Sequence, residues 1–128
     1  MMIIYENGFV KIHYDPAEDI MFATLPQIDN SLFTEVRRSY DIVVDHVKSY
    51  DVKKLLIDAS QTQVKVPEEV LLPIFSHFIK GLSSSRLQRL ARIISSNISR
   101  ERIIELTFMH TSPPFQYEGF PHSHQAIT

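Results

Sequence analysis

Cysteine and tryptophan are absent from this chain of 128 residues, and glycine occurs only at Gly8, Gly81 and Gly119. Without cysteine there is no disulfide, no thiolate metal ligand and no thiol nucleophile. Scattered glycines cannot form a phosphate-cradling loop, and no G-x-S-x-G string offers a nucleophile elbow. The net charge of −2 exerts no long-range pull on nucleic acid or on an anionic membrane surface. Apolar runs are a handful of residues long, far short of the roughly 20 that a membrane-spanning helix needs. The start, Met1-Met2-Ile3-Ile4-Tyr5-Glu6, lacks the basic and apolar regions of a signal peptide, so the chain reads as cytoplasmic.

What is present is ordinary globular material, 44% apolar and 22% charged, with eight Phe and five Tyr to fill a core. The length suits a single domain over residues 1–128. Residues 3–5 and 9–14 flank Asn7-Gly8, a pair that accepts the positive φ of a tight hairpin turn. A second turn at Asp15-Pro16-Ala17-Glu18-Asp19 leads to a third strand over residues 20–25. Leu32, Val36, Tyr40, Val43, Val44 and Val47 recur at helical spacing and predict a helix to about Tyr50, capped by Asn30 or Ser31.

Lys53-Lys54-Leu55-Leu56-Ile57-Asp58 is a short continuous apolar run and predicts a strand buried on both faces. Pro67-Glu68-Glu69 opens a second helix, whose apolar face includes Val70, Leu71 and Leu82 and which Pro73 should kink or restart. Residues 86–94 read two ways. Leu87, Leu90, Ala91 and Ile94 have helical spacing, whereas Leu90-Ala91-Arg92-Ile93-Ile94 reads as a buried strand, which the alternating architecture favours. A helix over residues 100–110, an edge strand at Phe115-Gln116-Tyr117 and a short helix over residues 121–127 complete the order. The fold class is therefore α/β: a mixed sheet with an antiparallel amino-terminal meander, followed by parallel βα units with right-handed crossovers.

That order resembles the SpoIIAA-like, or STAS-like, family of small bacterial proteins, which are related to anti-sigma factor antagonists and to the Sec14/CRAL-TRIO lipid-binding fold. The matching strings are Ile4-Tyr5-Glu6-Asn7, Lys53 to Asp58, Pro67-Glu68-Glu69-Val70 with Pro73, Leu90-Ala91-Arg92-Ile93-Ile94-Ser95, and the ending Phe120-Pro121-His122-Ser123-His124-Gln125-Ala126-Ile127. The resemblance implies the fold. In phosphorylatable antagonists the corresponding strand is followed by an Asp-Ser-Ser-Gly-like turn. Here the stretch is Asp58-Ala59-Ser60-Gln61-Thr62-Gln63, without the glycine or the paired serine, which puts a phosphoswitch at Ser60 in doubt.

Candidate chemistry is sparse. His122 and His124 with His110 form the one histidine cluster, and an exposed polar tail explains them better than a metal site does, so no metal or cofactor is expected. Arg86, Arg89, Arg92, Arg100 and Arg102 lie close together, but Glu101 and Glu105 intervene and a solvated rim weighs more than nucleic-acid binding. Ligands of open α/β sheets sit beyond the carboxyl ends of parallel strands, which makes Asp58, Ser60, Gln61, Thr62, Ser95, Ser96 and Asn97 a candidate ligand or partner rim. The competing reading is that they satisfy loop backbone groups. Ile74, Phe75, Phe78 and Ile79 are candidates for an apolar pocket or a dimer face, though most of that helix face must be core.

With no catalytic set, the expected role is a non-catalytic STAS-like interaction or regulatory module. It would act as a homodimer or against another protein. The alternative is a small carrier of an apolar, lipid-like ligand held beside the helix that contains Pro73. An enzyme using Asp58 as acid or base is a weaker third option.

Overall fold

The computed structural model of this chain describes residues 2–7, 10–25, 33–58, 68–93 and 98–120. Along the sequence these form β1 (Met2–Glu6), β2 (Lys11–Asp15), β3 (Ile20–Thr24), α1 (Phe33–Ser49), β4 (Lys54–Asp58), α2 (Glu68–Ser83), β5 (Arg89–Ile93), α3 (Ile98–Thr111) and β6 (Gln116–Phe120). The strands lie side by side in chain order, β1-β2-β3-β4-β5-β6. The first three are antiparallel, and β3 to β6 run parallel. This is the α/β mixed sheet that the pattern predicts.

Local chemistry sets the turns. Asn7 closes the first hairpin twice: its amide donates to the Val10 carbonyl at 3.0 Å, and its Oδ1 accepts from the Val10 amide at 2.8 Å. Asn7 and Val10 thus close the hairpin, and Gly8 and Phe9 between them lie outside the described residues. At the second turn Asp15 Oδ1 accepts from the Ala17 amide, and Asp19 takes a φ of 53°, a conformation that aspartate tolerates. Helix α1 ends in a Schellman motif. Asp51 has a φ of 54°, its amide donates to the Lys48 carbonyl, and the Val52 amide donates to the Val47 carbonyl. Ser112, at a φ of 44°, ends α3 by donating its amide to the Phe108 carbonyl.

The sequence expectation of an interior β4 holds, with Leu55, Leu56 and Ile57 all buried. The ambiguous stretch resolves as strand β5. Its alternation places Leu90 and Arg92 on one face, in register with Leu55 and Ile57 of β4. Pro73 does not restart the helix, since α2 is continuous through it. Proline lacks one amide hydrogen, so a single intrahelical bond is lost, and its ring lies on the exposed side of the helix. The predicted caps Asn30 and Ser31 and the final helix over residues 121–127 lie outside the described residues.

All three helices pack on the same face of the sheet. His46 of α1 meets Tyr5, Tyr50 just past its carboxyl end meets Tyr14, Phe75 of α2 lies under Arg92, and Phe108 of α3 stacks on Tyr117. Strand register puts Tyr5, Tyr14, Arg92 and Tyr117 on that one inner face. The core lies between, where Ile12, Met21, Ala23, Leu55, Ile57 and Leu90 meet Val43, Val47, Phe75, Phe78, Ile79 and Ile104. The helices approach one another closely at Gly81 of α2. A Cβ built there would stand 3.0 Å and 3.3 Å from the two methyl groups of Val44 in α1.

Gly81→Val should therefore push α1 and α2 apart and destabilise the fold by about 1–3 kcal/mol, read as a lowered urea midpoint with the slope unchanged.

Candidate functional site

Strand β5 carries a charge into the core. Arg92 follows Leu90 on the inner face, so its guanidinium must be satisfied inside the protein. Its Nη1 donates to Glu101 Oε1 at 2.6 Å and lies 3.5 Å from the Tyr117 hydroxyl. Glu101 belongs to the first turn of α3, and Tyr117 to the neighbouring strand β6. The guanidinium carbon sits 5.6 Å from the centroid of the Phe75 ring, a cation–π placement. Phe75 in turn packs edge-on against Tyr40 and Phe108, and Tyr117 stacks on Phe108 at 3.8 Å.

The pair is asymmetric in exposure. The Arg92 side chain is 1% exposed and that of Glu101 12%. Arg92 Nη2 is buried and has no hydrogen-bond partner. A buried donor left unpaired costs about 1–3 kcal/mol, which sets it apart from an ordinary structural ion pair. Burial alone would lower the pKa of Arg92. Glu101 first, with Tyr40 and Tyr117 behind it, more than reverses this and raises it, so the guanidinium stays charged. Burial pushes the Tyr117 hydroxyl up, opposed in part by Arg92. Tyr14, at the other end of the sheet, is also raised, first by its 2.9 Å hydrogen bond to Asp19 and then by burial and the nearby carboxylates of Asp19, Asp15 and Asp51.

The sequence-predicted candidates fare differently. Of the proposed rim, Asp58 is described, half-buried at the end of β4, while Ser60, Gln61, Thr62, Ser95, Ser96 and Asn97 lie outside the described residues. The register pairs Asp58 with Thr24 and Ile93, on the face opposite Arg92. Ile74, Phe75, Phe78 and Ile79 are interior, with Phe78 and Phe75 both against Tyr40. These candidates for an apolar pocket or a dimer face are buried side chains of the core. The arginine group is split: Arg86, Arg89 and Arg102 are exposed and Arg92 is inside. Among the described residues, no group of His, Asp and Glu side chains could hold a metal ion.

The Arg92–Glu101 pair was the site that residue patterns pointed to least. Its signal was an arginine at an inward position of an otherwise apolar strand, followed nine residues later by an acid at a helix start.

Glu101→Gln strands a charge that cannot reach water and should cost on the order of 3 kcal/mol. Arg92→Met should cost less, because the carboxylate of Glu101 is already partly exposed, and the double variant should recover most of the wild-type stability. Urea denaturation of the four proteins measures this. Because the native fold binds the protons of Tyr117 and Tyr14 more tightly, their contribution is fully present below the unfolded tyrosine pKa of about 10 and is lost as pH rises through the higher folded values. In alkaline titration at 295 nm the native protein should lag behind the unfolded chain, and Tyr117→Phe should shrink the lag.

No protein-family model matches this chain, and none of the curated proteins matches it.

Proposed function

We propose that this chain is a non-catalytic interaction module of STAS-like type that acts through protein contacts made by the outer face of its sheet, most simply as a homodimer. The observation that supports this is the one-sided layering. With the three helices on the inner face, no described helix packs against the outer one. Parallel strands are ordinarily covered on both faces.

Register aligns Ile3, His13, Phe22, Leu56, Ala91 and Glu118 across the middle of that outer face. Ile93 and Phe120 stand in the next row. Leu56 and Ile93 are buried, Phe22, Ala91 and Phe120 half-buried, and Ile3 is 52% exposed at the β1 edge. Of these, Ile3, Phe22, Ala91 and Phe120 present accessible apolar surface, beside His13 and Glu118 and rimmed by Lys11, Glu6, Lys54 and Arg89, a composition that suits a protein contact with a charged margin. No helix is long and apolar enough to cross a membrane among the described residues.

The carrier reading places an apolar ligand beside α2. The rings of Tyr40, Phe75 and Phe78 already touch there, with centroids 4.8–6.0 Å apart, so a ligand would have to displace packed core. Native mass spectrometry separates the two readings, because a co-purifying lipid-sized mass supports the carrier.

Light scattering should give the mass of a dimer for the wild type and of a monomer for the double variant Ile3→Arg/Phe22→Lys, with the circular dichroism of both alike. A monomeric wild type whose partner capture from lysate is unaltered by the double variant would remove the outer face from consideration.

A further inference from the structure

We propose that Arg92 is the floor of an oxyanion site at the carboxyl edge of the sheet, a site that Glu101 occupies until a ligand's phosphate or carboxylate replaces it. The site lies on the inner face and stands apart from the outer-face contact. Four observations converge on it. Arg92 is the penultimate residue of β5, at the end of the parallel strands where α/β sheets take their ligands. Its guanidinium is held by Glu101 against the first turn of α3, a helix of 14 residues whose amino end carries positive partial charge.

Third, Arg92 Nη2 is buried without a partner, so half of a fork suited to a two-oxygen anion is unused. Fourth, Gly119 is the register neighbour of Arg92 on β6 and places no side chain beside it.

The resident carboxylate explains why the fork is half used. Glu101 reaches one nitrogen of the fork, Nη1 at 2.6 Å, and it is the more exposed member of the pair. Rotation of Glu101 toward solvent releases Nη1, the nitrogen it holds, beside the Nη2 that already lacks a partner. An incoming oxyanion then accepts two parallel N–H bonds and keeps the buried charge balanced, because one anion leaves as the other arrives. Arginine fits this role since it stays charged and its planar fork matches phosphate and carboxylate geometry.

Competition between Glu101 and the ligand gives the idea a signature that a purely structural ion pair lacks. Thermal melting is followed while inorganic phosphate, and separately acetate, is titrated at ionic strength held constant with sodium chloride. The wild type should show a saturable rise in melting temperature with at least one of the two anions, and the comparison of the two tells phosphoryl from carboxylate ligands. Glu101→Gln should start from a lower melting temperature yet half-saturate at a concentration lower by about tenfold, because the competitor is gone. The double variant Arg92→Met/Glu101→Gln should show no rise beyond that in chloride. Should Glu101→Gln fail to fold, calorimetric titration of phosphate and of acetate into the wild type and the double variant decides the matter. An equal response of wild type and double variant, or no anion response in the wild type, overturns the proposal.

Discussion

The constraint from which the rest follows is the placement of consecutive parallel strands side by side, each joined to the next by a helix on the same side. Because β3, β4, β5 and β6 advance in one direction, the intervening helices α1, α2 and α3 share a single layer. That layer makes one core and, among the described residues, leaves the other sheet face without a helix. It also decides which residues of β5 look inward. A shift of one residue in the β4–β5 register would move Arg92 to the outer face and bring Ala91 and Ile93 in. The fold therefore positions the charge, and the charge must then be satisfied by whatever the inner layer supplies, namely Glu101 and the aromatic rings of Phe75 and Tyr117.

This arrangement has an electrostatic logic. The interior around Arg92 is aromatic and apolar, so the guanidinium gains from ring faces and from a single carboxylate rather than from water. Tyr117 links the pair to the rest of the core by stacking on Phe108, which also lies edge-on to Phe115. The polar cluster is thereby rigidly supported on three sides by strand β5, strand β6 and helix α2, while Glu101 lies on the side nearer to solvent. A cluster of this kind is poorly suited to acid–base work, since arginine stays protonated near neutral pH. It is suited to holding charge.

Much of the architecture was legible in the sequence because the physics involved is local. The valine stripe of α1, the apolar triplet Leu55-Leu56-Ile57 and the Asp15 to Asp19 turn each carry their own periodicity or turn chemistry. Residues 86–94 were ambiguous because Leu87, Leu90 and Ala91 satisfy a helical spacing while Leu90 and Arg92 satisfy a strand one, and only pairing with β4 and β6 decides between them. Pro73 left a kink or a restart open, and packing of Ile74, Phe75 and Phe78 carries the helix through without a restart. The candidate site was the least legible. The rim expected around Asp58 rested on the tendency of ligands to bind beyond the carboxyl ends of parallel strands, whereas the buried pair depends on a contact between a strand and a helix start nine residues later.

The in-order strand arrangement has a consequence for how the chain folds. Every strand pairs with the strands immediately before and after it in sequence, so no closure ever spans more than one helical excursion. Ring-closing entropy is therefore kept small at each step, and such low-separation pairing is associated with quick, cooperative assembly. The β1–β2–β3 meander needs no later segment for its hydrogen bonds and can act as a template. Each newly made unit then docks on the edge left by its predecessor, from the amino end onward as the polypeptide leaves the ribosome.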